Sequence, residues 1–148
     1  MGKRRKAREL VLQGLYAWEI NPDRFEAILD TFSAEIPEDT ETVEFASTLF
    51  RKAVRQQEPL DLDIRAAVKN WDFERLALLD RLILRLAAAE LLYFDEIPPK
   101  VTMNEAIDLA KKFSTEQSGH FVNGILDALY RKYHQENRIR KSGRGLVG

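Results

Sequence analysis

Cysteine is absent from the chain, which excludes disulfides, thiolate metal sites and thiol nucleophiles. Histidine is nearly so. The two present, His120 and His134, lie fourteen residues apart, whereas a metal pair on one helix needs a spacing of three or four. No glycine-rich phosphate loop and no nucleophile-elbow serine occurs. Only 7 Gly and 5 Pro interrupt 148 residues, too few for a turn-rich sandwich. No apolar run reaches the roughly 18 residues that span a membrane. The opening "MGKRRKAREL" is basic, but it leads into an amphipathic stretch and not into a signal-peptide core. These absences point to a cytoplasmic, non-membrane protein with no catalytic residues, no metal and no cofactor, and so to a non-enzyme.

What is present is hydrophobic residue (45%) and charge (32%) in the proportions of one ordinary folded domain. The formal net charge of -1 conceals a strong asymmetry. Residues 1–20 sum to about +3, residues 21–50 to about -7 and residues 131–148 to about +5. The chain is basic at both ends and acidic between.

Apolar spacing predicts an all-α fold of about seven helices and no strand. Val11, Leu15 and Trp18 mark the first, stopped by Asn21-Pro22. Phe25, Ile28, Leu29 and Phe32 mark the second, closed by Ile36-Pro37. Val43 to Val54 forms a third, up to Pro59. Leu62, Ile64, Ala67, Val68 and Trp71 form a fourth. "LALLDRLILRLAAAELLYF", Leu76 to Phe94, is apolar nearly all round and reads as the buried centre of a bundle. Glu90 within it is expected in a buried pair with an arginine, or capping a neighbouring loop. "IPPK" is expected to end that helix. Thr102 with Glu105 then reads as a capping box, and "STEQ" as a second one before the last helix. The expected organisation is one helical domain, residues 1–137, with subdomains of about 1–75 and 76–137. A basic, disordered tail over 138–148 follows.

Two features stand outside this pattern. "FVNGILD" carries Asn123-Gly124 inside a helical repeat, although Asn-Gly between strands is a hairpin signal. Either another helix passes too close for a Cβ at Gly124, or its backbone is exposed for a ligand. The second feature is the run Lys3, Arg4, Arg5, Lys6 and Arg8 at a helix N-terminus, where the dipole disfavours each cation by roughly 0.3–1 kcal/mol. An anionic partner, best a phosphate backbone, explains it. A solvated, frayed end is the alternative. Phe121 could likewise offer a stacking platform for an unpaired base, with Ser118, His120 and free helix amides near a phosphate, or it could be core.

"KRRKARELVLQGLYAWE", "LLDRLILRLAAAELL" and "IPPKVTMNEAIDLAKKFSTEQSGHFVNGILDALY" together resemble the NusB family of transcription antitermination factors. The resemblance covers about 16 residues at the start and nearly all of 76–130; between them it holds in helical pattern only, and the tail is outside it. It implies two packed helical subdomains that bind a boxA-type single-stranded RNA together with the small-subunit ribosomal protein NusE. That pair would help load antitermination complexes onto RNA polymerase during rRNA operon transcription. The implied RNA-binding residues are Arg4, Arg5, Lys6, Arg8, Gln13, Tyr16, Ser118 and Phe121. Gln117 stands where relatives commonly carry an acid. The implied protein-partner surface lies near Asp80. Self-association to a homodimer through the RNA face is a further expectation. Some rRNA cytosine methyltransferases share the fold, but 148 residues leave no room for their second domain. The alternative of another class is a helical protein-interaction adaptor without specific RNA binding, which leaves the basic N-terminus unexplained.

Overall fold

The computed structural model describes residues 2–68 and 73–146. Among them there are seven α-helices and no strand: α1 Lys3–Ile20, α2 Phe25–Glu35, α3 Thr40–Arg55, α4 Gln57–Ala67, α5 Leu78–Tyr93, α6 Pro99–Phe113 and α7 Glu116–Gln135. The expected stops at Asn21 and Ile36 hold. Trp71, expected on the fourth helix, lies outside the described residues.

Three boundaries differ from the sequence reading, each for a local reason. The break after α3 falls at Gln56, and Pro59 sits in the first turn of α4. There its missing N–H is one the helix could not have paired anyway. "IPPK" does not close α5; Pro99 opens α6 from its first position, where a fixed φ suits the helix. Thr102 is therefore already inside α6 and caps nothing. Its hydroxyl is buried and donates to Glu90 Oε1 at 3.1 Å. In "STEQ" the cap is Thr115, whose Oγ1 accepts from the Ser118 amide at 3.0 Å.

α5 is the central element. It packs on α1, α3, α4, α6 and α7, and its residues from Leu82 to Leu91 are all buried. One contiguous apolar cluster surrounds it, built from Leu12 and Leu15 of α1, Phe32 of α2, Leu49 and Phe50 of α3, and Leu126 and Leu129 of α7. α1 reaches α2 closely because residue 14 is glycine. A Cβ there would stand 2.9 Å from Ile28 Cγ2 and 3.3 Å from Phe32 Cζ.

A helix buried on every side must satisfy its polar groups internally. α5 carries three buried charged residues, Asp80, Arg85 and Glu90, and the last two are held at both forks. Arg85 donates to both Asp61 oxygens at 3.0 Å and to Glu19 at 3.3 Å. Glu90, fully buried, accepts from Arg8 Nε at 2.7 Å and Nη2 at 2.8 Å, as well as from Thr102. Burial pulls the Arg8 pKa down, but the Glu90 hydrogen bonds and charge outweigh it and raise it above the ordinary value. The arginine pair expected for Glu90 is thus present, with Arg8 as the partner.

The tail is not frayed over its described length. Asn137 takes a left-handed backbone conformation, φ 58°, and reverses the chain after α7. Arg138 then bonds to Asp63, Lys141 to the end of α5, and Gly145 is buried. The helix carries on to Gln135 because Tyr133, fully buried, donates its hydroxyl to Asp63 Oδ2 at 2.9 Å.

Arg8→Ala strands the Glu90 carboxylate in a dry site. It is expected to lower unfolding free energy by about 3–5 kcal/mol, and the double change to Arg8→Met with Glu90→Leu by clearly less. Urea unfolding of both variants checks this; a single-variant loss under about 1 kcal/mol would sink it.

Candidate nucleic-acid interface

α1 has no acidic residue in its first turn. Neighbouring elements supply the missing carboxylates instead. Lys3 Nζ lies 3.0 Å from Asp39 Oδ2, the N-cap of α3. Arg4 lies 3.6 Å from Glu96 and 4.3 Å above the Phe45 ring. Arg5 pairs with Glu105 and, at 2.8 Å, with Asp108 of α6. Arg8 is shared between Glu90 and Glu105. Only Lys6 of this run forms no ion pair among the described residues. The unfavourable placement of cations at a helix start is therefore largely compensated inside the molecule.

The pairs also set the helices in register. Arg5 meets Glu105 and Asp108, and Glu9 meets Lys112 at 2.8 Å, so α1 and α6 run parallel. One helical face continues from Arg5 and Glu9 to Gln13 and Tyr16. Gln13 is exposed, and Tyr16 is 41% exposed.

A second feature lies where the start of α7 meets the start of α5. An open groove of about 1020 Å³ is lined by Asp80, Ser118, His120, Phe121 and Gly124, among others. Phe121 is half-buried and packs against the core edge while still lining the groove. Ser118 Oγ donates to Asp80 Oδ2 at 3.1 Å. The other oxygen, Asp80 Oδ1, is shut from solvent and meets no donor among the described residues.

Gly124 overturns the close-packing explanation. No atom stands within 4 Å of the place its Cβ would take, so its backbone faces open space beside the groove. The close approach between α6 and α7 occurs five residues earlier. There a Cβ on Gly119 would stand 2.9 Å from Lys111 Cγ.

Of the residues expected at the interface, Arg4, Arg5, Lys6, Gln13 and Tyr16 are exposed on α1, and Phe121 lines the groove. Two do not fit a direct role. Arg8 is 3% exposed, with its fork closed on Glu90. Ser118 is buried, with its hydroxyl on Asp80 and its amide on the Thr115 cap. Arg8 shares a helix side with Arg4 and Arg5, four and three residues earlier, so helical spacing could not single it out as the enclosed one. Asp80, expected on a separate partner surface, is buried and touches Ser118 directly. Among the described residues no helix is long and apolar enough to cross a membrane.

The model of the NusB family matches residues 5–131. The chain belongs to the NusB family. It is 44% identical over 149 residues to the transcription antitermination protein NusB of Salinibacter ruber, which covers all of this chain and 93% of the relative. The NusB structure from T. maritima is 34% identical, with a TM-score of 0.78, over 91% of this chain and 95% of that one. A further crystal structure, of the antitermination factors NusB and NusE in complex with dsRNA, is 30% identical over 90% of this chain and 99% of that one. Its TM-score is 0.79. NusB proteins are antitermination factors and not enzymes. The matched family span ends at Arg131, before the docked C-terminal segment.

Two expectations follow from the geometry. The pair with Lys3, and then the Thr42 amide, hold the Asp39 carboxyl at about 2, below its ordinary 3.8. A lowered folded value stabilises the fold above pH 4, and that contribution disappears as pH falls towards 2. Melting temperatures of the wild type and Asp39→Asn should therefore converge between pH 4 and pH 2; a constant gap would count against the pair. Gly124→Ala fits the open space and should stabilise α7 by about 1 kcal/mol, read by urea unfolding. A destabilisation would mean that the position is not open.

Proposed function

We propose that this chain is a transcription antitermination factor that binds boxA-type single-stranded RNA jointly with the ribosomal protein NusE. In this reading it supports rRNA operon transcription as part of an RNA polymerase antitermination complex. The observation that carries the reading is its similarity, over 90% of its length, to a NusB crystallised with NusE and dsRNA.

The charges and rings give that reading a mechanism. The Lys3, Arg4 and Arg5 side chains are 43–80% exposed. Exposed ion pairs of this kind contribute about 0–1 kcal/mol each, so a phosphate can take the place of the carboxylate. Lys6 has no such partner to lose. These contacts supply affinity without sequence information. Preference for one RNA must come from base edges and stacking. Tyr16 and Phe121 offer rings for unpaired bases, and Gln13 offers an amide that both donates and accepts. Arg8 enters only as support, by fixing α1 against α5. Ser118 supports by orienting Asp80.

The groove at Asp80 is the place where we would seat NusE. A buried carboxylate oxygen without a donor is unfavourable by about 1–3 kcal/mol. A basic or amide group of a partner removes that penalty when the groove wall moves aside to open Oδ1 to it. The acidic α2 and α3 region then faces away from RNA or towards basic partner surface. Homodimerisation through the α1 face would compete with RNA, and light scattering at rising concentration, with and without RNA, tests it.

Fluorescence anisotropy of a labelled boxA-type RNA, beside a scrambled one, tests the main reading. The expected result is salt-sensitive binding that prefers boxA and strengthens when NusE is added. Phe121→Ala is expected to weaken boxA binding by about 1–3 kcal/mol with less effect on the scrambled RNA. Equal, weak binding to both RNAs, unaltered by NusE, would favour the adaptor reading.

A further inference from the structure

The segment after α7 is built against the body of the molecule at several independent points. The Arg138 guanidinium reaches both oxygens of Asp63, at 3.3 and 3.0 Å. Lys141 Nζ donates to the Phe94 carbonyl at 2.7 Å and the Glu90 carbonyl at 3.3 Å. Both carbonyls also accept a backbone amide, from Ile97 and Phe94 respectively, and they lie at the C-terminal end of α5, where the helix dipole attracts a cation. Burial pulls the Lys141 pKa down, so this ammonium is partly withdrawn from water. The Ser142 amide donates to the Asp95 carbonyl at 3.0 Å. Gly143 has φ +53°, and a Cβ on buried Gly145 would collide with the Asp95 carbonyl oxygen. Two glycines thus occupy the positions where a side chain would be strained or excluded.

This docking has a consequence for Arg144, which sits between those glycines. It lines a cleft of about 840 Å³ together with Lys3, Arg4 and Arg5 at the start of α1. Arg8 is the fifth cation of that lining, against two carboxylates, Glu96 and Glu105. The four cations from α1 each have a carboxylate partner. Arg144 is exposed and forms no ion pair among the described residues.

We propose that residues 138–146 form a strap that is the second wall of the RNA-binding cleft, and that Arg144 contacts the phosphate backbone across from Arg4 and Arg5. The proposal rests on the RNA-binding reading and adds a residue to it. Arg144 needs no carboxylate displaced before it meets a phosphate. Its contact therefore releases a condensed counterion in full, about 0.7 in the slope of log K against log salt on a single strand.

The test uses the full chain with NusE, titrated against labelled boxA-type and scrambled single-stranded RNAs at several salt concentrations. Arg144→Ala is expected to flatten the slope by about 0.7 and to weaken binding about fivefold at 0.1 M salt, equally on both RNAs. Gly145→Val, which dislodges the strap, should reproduce that loss while circular dichroism shows the helices intact; should it fail to fold, Arg144→Glu replaces it and should lose more than Arg144→Ala. Arg4→Ala is the reference. If Arg4→Ala flattens the slope and Arg144→Ala leaves it unchanged, the strap proposal is overturned and the RNA reading stands. A loss confined to the boxA-type RNA would also overturn it, since a backbone contact cannot distinguish sequences. If the wild-type chain binds neither RNA, the RNA reading itself fails and takes the strap with it.

Discussion

The buried pair between Arg8 and Glu90 is the interaction around which the rest is arranged. Two ions out of water are unfavourable unless every fork and lone pair is met. Here α1 supplies the cation, α5 the anion, and α6 completes the set through Thr102 and Glu105. Three helices must therefore adopt one mutual position for the site to be neutralised. That position also decides what α1 shows to solvent. With Arg8 turned inwards, Arg4 reaches Glu96 ahead of α6, Arg5 reaches Glu105 and Asp108 within it, and Gln13 and Tyr16 continue the exposed face. A purely apolar contact would hold α1 to α5 equally well but would tolerate rotation about its axis. A two-pronged pair does not.

Much of this was legible in the residues. Periodicity located all seven helices, because each buries a stripe at helical spacing. The apolar run from Leu82 to Leu91 announced the central helix, and Glu90 inside it announced a buried partner. What could not be read was which of five neighbouring cations served Glu90. Arg4, Arg5 and Arg8 are chemically identical; only the direction in which each leaves the helix, relative to a helix 82 residues away, separates a core residue from a surface one.

The errors have a common origin as well. Thr102 with Glu105, Pro59 and the basic segment over 138–148 are all local signals. The first looks like a cap, the second a stop and the third a disordered tail. Each was overridden by its surroundings: Thr102 by Glu90, Pro59 by its place in the first turn of α4, and the tail by the Asp95 carbonyl, which meets Ser142 and Gly145. A glycine that permits close approach and a glycine that permits disorder are indistinguishable until the approaching atom is known. Gly124 shows the converse, since the close contact expected there is absent.

Glu90 joins both ends of the chain: its carboxylate takes Arg8 near the start, and its carbonyl takes Lys141 near the finish. This bears on how the protein is made. During synthesis α1 leaves the ribosome first, yet Arg8 has no counter-ion until residue 90 follows. At roughly 5–20 residues per second that delay is about 4–16 s. Lys141 arrives later still. Lys3 can meet Asp39, and α1 can pack on α2 and α3, well before then, so the buried cation is the part of the first helix that waits longest for its site.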